Sequence, residues 1–440
     1  MVNRLILFFA VSLWVPLSLR SQTTVSSIHI SKERIGKAQA FQLSDTVFMS
    51  YFKGSKHGGV YFYPGGQTEL VDLNGAGSLS GVQRVANKSF YYFLEKKGKG
   101  IVALKALFLD MNNKTSKVLE KEILISSEIV GVVNDDILSV VTWNKSERLI
   151  EVYRINQFNC KKSGYQLPDN NSDLDASDLQ LVSPRAGWLF QGISWAKIYV
   201  ERDRVSLTID RIYNTDIIVF NGSEEKPKVV SIPSKSTGFR SFLSDSLLFR
   251  FNMFVNGFYV KVFHANKGTE LLTKTLNKED FKKTDTVYFH SGKDHVRTHR
   301  YAIDKIITSY SFGAEPVVVA NKISSGEYGI TIGCFFNKKG MGFAASSNPV
   351  GFFATLAATT AYRQLSESPA ESSYFYTEFS KGDINFRSNP SLIYKRVDDF
   401  DIHKSKNARI EAVMVKDSST AYMIVSDLKA QSVNLVRIRR

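Results

Sequence analysis

Cysteine is nearly missing: Cys160 and Cys334 are the only two in 440 residues. Two thiols cannot staple a chain of this size, so its fold stands on packing and not on a disulfide framework. The repeat phasing set out below places them in non-adjacent units, as free thiols that are buried or partly buried. Other devices are missing too. There is no GxSxG elbow, no glycine-rich phosphate loop and no zinc-protease helix motif. No apolar run directly follows the short one at the N-terminus, so no stop-transfer segment is expected. No nucleic-acid-binding motif is present, and the basic residues are spread along the chain instead of massed. Disorder is excluded by what the chain does have: 43% hydrophobic residues, 12% aromatic, are ample for a core.

The first residues read as a secretory signal. Met1-Val2-Asn3-Arg4 is a short basic region, and residues 5–19 are apolar apart from Ser12 and Ser18, with Pro16 inside. That run is too short to span a bilayer. Residues 1–21 are therefore expected to be removed, with Gln22 first in the mature chain. No cysteine stands there to take a lipid anchor. The expectation is an exported protein, periplasmic or extracellular, with no transmembrane span after cleavage. Losing Arg4 and Arg20 lowers the formal charge from +15 to +13. That excess suits an anionic glycan, a lipid headgroup or an acidic protein, although its even spread favours a well-solvated surface.

Residues 238–276 make one complete β-unit. Phe239–Leu243 leads into the turn Ser244-Asp245-Ser246, after which Leu247, Phe249, Phe251 and Met253 alternate with Leu248, Arg250 and Asn252. Asn256-Gly257 reads as a two-residue hairpin turn. Residues 258–263 and 270–276 supply the third and fourth strands. The turn recurs in Leu43-Ser44-Asp45-Thr46, Val133-Asn134-Asp135-Asp136, Val85-Ala86-Asn87 and Val415-Lys416-Asp417. Each is followed by a β-branched or aromatic run, and spacings of about 40–60 residues signal repeated β-architecture.

Laid out on these turns, residues 22–440 resemble a single closed β-propeller as a fold class, with seven blades of four antiparallel strands. Eight blades follow if residues 285–312 form a degenerate one. The last blade, residues 410–438, is one strand short, while Val25–Ile30 belongs to no unit. The N-terminal strand is therefore expected to complete the C-terminal blade and remove its free edge.

Two stretches break the phase. Residues 337–372 stand where the sixth blade needs only a hairpin. Asn348-Pro349 suits a helix start, and Phe352, Phe353, Leu356 and Tyr362 follow with one charge, Arg363, among them. The insertion either covers its own blade or offers Phe352, Phe353, Leu356 and Tyr362 to a partner or envelope surface. The second stretch, residues 288–301, holds His290, His295 and His299 around Asp294. Lys293, Arg297 and Arg300 would repel a cation, so it reads as a basic, anion-binding loop. No metal and no cofactor are expected.

Acidic pairs occur at Asp135-Asp136, Glu224-Glu225 and Asp398-Asp399 with Asp401. The first fits a turn and the second a loop. The third, beside His403, fits a solvated linker. These residues favour a non-enzymatic binding or scaffold protein of the cell envelope or exterior. The alternative is a carbohydrate-active enzyme, a glycosidase or lyase with paired carboxylates at a central channel.

Overall fold

The computed structural model describes residues 22–29, 37–44, 47–53, 57–73, 78–86, 88–98, 100–110, 112–113, 115–118, 122–134, 137–157, 159–171, 173–182, 189–222, 226–254, 256–277, 287–291, 295–299, 314–336, 371–386, 392–404, 407–427 and 429–440. Within them the protein is all-β, apart from the helix Ile393–His403 and short 3-10 turns. No helix among these residues is long and apolar enough to cross a membrane.

The fifth sheet follows its sequence pattern strand for strand: Arg240–Ser244, Leu247–Phe254, Gly257–His264 and Glu270–Asn277, paired in that order. Asp245 takes φ 55° in its first turn, the left-handed conformation that an Asp tolerates there. The second turn differs from expectation by one residue. Phe254 faces Gly257, so residues 255–256 form the loop. Gly257 is required for a different reason: a Cβ there would lie 2.1 Å from the Leu276 carbonyl oxygen. Here glycine permits close strand approach and not a positive φ.

Seven sheets form among the described residues. The first joins Lys37–Gln42, Phe48–Lys53, His57–Phe62 and Thr68–Asp72, and the third runs in the same meander order from Glu128 to Gln166. In the second, Thr115–Val118 and Ile123–Ile125 share the outer edge of Ile101–Asp110. The fourth departs most. A 3-10 turn, Leu189–Gly192, stands between two of its strands. Leu179–Val182 pairs in parallel with Ala196–Val200, ahead of three antiparallel neighbours.

The sixth sheet contains Glu315–Ser324, Glu327–Phe336 and Glu371–Ser380, and its next position is taken in part by Val287–Ser291, followed by His295–His299. The described residues of 285–312 thus add to this sheet and do not build one of their own. Phe336 and Glu371 are direct ladder partners. Residues 337–370 therefore leave and re-enter the sheet at a single rung, two residues short of the expected insertion boundary. The seventh sheet unites both chain ends: Gln22–His29 pairs with Ser432–Arg439 in antiparallel register, Gln22 to Ile438 and His29 to Ser432.

Alternation along each strand buries both faces of the inner strands, and neighbouring sheets meet in apolar clusters. Tyr51 and Leu107 belong to the cluster between the first and second sheets, Leu94 and Val140 to the next, then Trp143 and Leu207, and Ile217 and Leu248. Phe249 meets Ile330 between the fifth and sixth, and Val317 meets Met423 between the sixth and seventh. Ile424 of the seventh sheet shares a cluster with Phe62 of the first.

A candidate interaction face and its ionic clusters

The two ends of the sheets differ. At one end, first strands turn into second ones through two or three residues: Val85 to Lys88, Asn134 to Leu138, Ser244 to Leu247, Ser324 to Glu327 and Asp417 to Thr420. At the other end residues 167–171 and 173–178 follow the last strand of the third sheet, and the sixth-sheet ladder has its rung Phe336–Glu371. Neighbouring sheets bond like end to like end. Asp245 pairs with Lys322 at 2.9 Å on the short-turn end, and Gln83 donates to the Ile155 carbonyl at 2.9 Å. On the opposite end Arg240 pairs with Glu315, and Lys145 with Asp175.

That second end carries an ionic cluster drawn from three successive sheets. Arg240, first residue of its strand, donates to the carbonyls of Ile193 and Phe239 at 3.2 and 3.1 Å and reaches Glu315, first residue of its own strand. Beneath lie Lys197 and Asp210, both buried and 3.7 Å apart. Asp210 accepts from Thr215 Oγ1 at 2.9 Å, from Ser241 Oγ at 2.5 Å and from the Ser241 amide at 2.8 Å. Burial lowers Lys197 to about 8, with Asp210 opposing. Lys197 also donates to the Ser194 carbonyl. The lower pair fastens the fourth sheet to the fifth, and only the upper pair reaches solvent.

The 3-10 turn Leu189–Gly192 crosses from the fourth sheet to pack on the first strands of the fifth and sixth. Leu189 and Ile193 enter the apolar cluster between the sixth and seventh sheets. Gly192 lies so close to Glu315–Ser324 that a Cβ would sit 2.3 Å from the Val318 carbonyl oxygen. That atom is backbone and cannot swing aside. Gly192→Ala is expected to cost about 1–3 kcal/mol as an overpacked contact, read as a lowered denaturant midpoint with unchanged slope.

A second cluster surrounds the helix Ile393–His403. Residues 397–403, expected as a solvated linker, are helical instead, and Leu392, Ile393, Tyr394 and Val397 are buried. Asp398 Oδ2 accepts from the hydroxyls of Tyr374 and Tyr376 at 3.0 and 2.7 Å. Tyr288 donates to Asp399 at 2.7 Å. Burial holds all three phenols well above their ordinary range. The signal was present as apolar residues at 393, 397 and 400, a helical spacing masked by the acidic residues between them.

Phe352, Phe353, Leu356 and Tyr362 lie outside the described residues, as do Lys293, Arg300, Asp135-Asp136, Glu224-Glu225 and the signal at 1–21. Arg297, His290, His295 and His299 lie on strands of the sixth sheet, but their side chains are not among those described. No group of three or more His, Cys, Asp or Glu among the described residues is arranged to hold a metal. Neither cysteine is in a disulfide, and they stand in the third and sixth sheets. Cys334 is buried, whereas Cys160 is exposed, since it lies on an outermost strand.

No protein-family model matches the chain, and no curated protein matches it. Solved structures similar to it include the Dos1 propeller, at 9% identity and TM-score 0.39, covering 95% of each chain. Another is the β-propeller domain of the Trilobed protease from Pyrococcus furiosus, at 8% identity and TM-score 0.35, covering 88% of this chain and 91% of that one. A GH43_1 enzyme from Xanthomonas citri, at 9% identity and TM-score 0.27, covers 65% of this chain and 97% of its own.

Proposed function

We propose that the seven sheets are blades of one closed propeller, exported from the cell, and that it is a binding or scaffold protein. Its working surface is the end bearing the long connections. The observation that carries this reading is the rung Phe336–Glu371. A two- to four-residue turn would close that hairpin, so residues 337–370 are surplus to the ladder, and the rung that flanks them lies at the end of the sheets where residues 173–178 also emerge. The 3-10 turn Leu189–Gly192, lying across the first strands, further supports binding over catalysis in a central channel. The partner is a protein or an envelope surface, with an anionic glycan suited to the basic charge.

The test replaces residues 337–370 by a Gly-containing four-residue turn. The shortened protein is expected to keep its unfolding midpoint within about 2 °C. Its retention on anionic vesicles or on a panel of acidic and neutral glycans should fall about tenfold. Strong destabilisation would make the segment core cover and end its role as an interaction element. Turnover of any glycan in the panel would instead favour the carbohydrate-active enzyme.

A further inference from the structure

Asp398 is fully buried, and among the described residues none of its hydrogen bonds comes from a cation. Its two donors are neutral phenols, Tyr374 and Tyr376, both on Oδ2. Oδ1 is buried with no partner. The helix's lysines are engaged elsewhere: Lys395 lies 2.8 Å from Asp399, and Lys404 pairs with Asp401. Asp399 and Asp401 add negative charge beside it, and Tyr288 is turned to Asp399. Arg396, on the same helix, acts on Tyr288. From the seventh sheet, Ala421, Met423, Val425, Val436 and Ile438 meet this core, none of them titratable, while Tyr422 and Arg437 alternate to the other face. The strand His295–His299, which also packs on the helix, carries His295, Arg297 and His299.

A carboxylate at this position would have no counterion among the described residues and one unsolvated oxygen, so the neutral acid is the form that fits. We propose that the helix Ile393–His403 is a proton-held latch between the sixth and seventh sheets, docked while Asp398 is protonated and loosened when it ionises. Burial raises Asp398 to about 8, against the two tyrosine hydrogen bonds, which favour the charged form. A group that holds its proton more tightly when folded stabilises the docked state fully below the ordinary carboxylate range. That contribution is lost as pH rises towards 8. Between those limits, opening of the helix increases about tenfold per pH unit.

Hydrogen exchange of the full chain at pH 5, 6 and 7 tests this, with the helix peptide 392–404 compared with the strand 327–336 in the same molecule, so that intrinsic pH dependence cancels. The helix-to-strand ratio of exchange rates is expected to rise about 100-fold from pH 5 to 7 in the wild type and to stay flat in Asp398→Asn. A flat wild-type ratio overturns the latch. A rise that persists in Asp398→Asn also overturns it, because histidines on the neighbouring strand would then be the source. Should Asp398→Asn fail to fold, Tyr376→Phe removes one donor that favours the charged form, and with the series extended to pH 9 the rise should level off at a higher pH than in the wild type. Levelling off at the wild-type pH in that variant overturns the proposal.

Discussion

A chain that begins at residue 30 is expected to lose the cooperative unfolding transition shown by one that begins at residue 22. The strand removed, Gln22–His29, pairs with residues 432–438, with one register shift between Thr24 and Ser26. Its Ser26 hydroxyl also donates to the Gly66 carbonyl at 3.0 Å, which ties the seventh sheet to the first. Val25 and Ile28 pack on the cluster containing Val433, Leu435 and Phe62. At about 1 kcal/mol for each ladder hydrogen bond, and with this cluster opened to water, the loss approaches the roughly 5–15 kcal/mol that holds a native domain together. The bared edge of residues 432–439 would also invite association with other chains. Denaturant titrations of the two truncations, followed by far-UV circular dichroism, measure the difference. A synthetic peptide of residues 22–29 in excess should restore the transition. Equal midpoints for the two truncations would show that the pairing of the chain ends is dispensable.

Asp210→Asn is expected to destabilise the protein by about 3–5 kcal/mol, the cost of leaving a buried charge without its partner. Lys197 would keep the Ser194 carbonyl but lose its counterion, and an amide nitrogen would face donors from Thr215 or Ser241. Lys197→Met should cost less, because Asp210 would retain three neutral donors. pH separates the charge effect from the geometric one. Lys197 already sits near 8 beside Asp210, and without that carboxylate its folded value falls further. A lysine with a depressed folded value contributes stability that grows as pH rises towards its ordinary range. The Asp210→Asn deficit should therefore shrink between pH 7 and 10 in chemical denaturation. A deficit constant with pH would mean that lost hydrogen bonds, not the buried ammonium, cause the loss.

The pairing of the chain ends was legible because it needed only strand arithmetic. Three alternating runs at the C-terminus lacked a fourth, and one run at the N-terminus lacked a unit. The turn at Asp245 was legible for a local reason: a short polar side chain tolerates the positive φ that a tight hairpin imposes. Glu371 and Ser372, read from the sequence as part of the insertion, belong to the ladder because they extend the strand that follows them.

The ionic clusters were not legible, and the reason is distance along the chain. Lys197 occupies an ordinary alternating strand, and nothing nearby indicates that Asp210, Ser241 and Arg240 will close around it. The same holds for Asp398, whose tyrosine donors lie 24 and 22 residues upstream on a strand reached only after residues 337–370. The parallel strand Leu179–Val182 likewise carries no mark distinguishing it from an antiparallel one. Period-2 alternation states that a residue faces a core, because that follows from the pleat. Which core it faces, and which charge meets it there, is decided when the sheets pack, since burial turns an ordinary Lys or Asp into a group that must be paired or neutral.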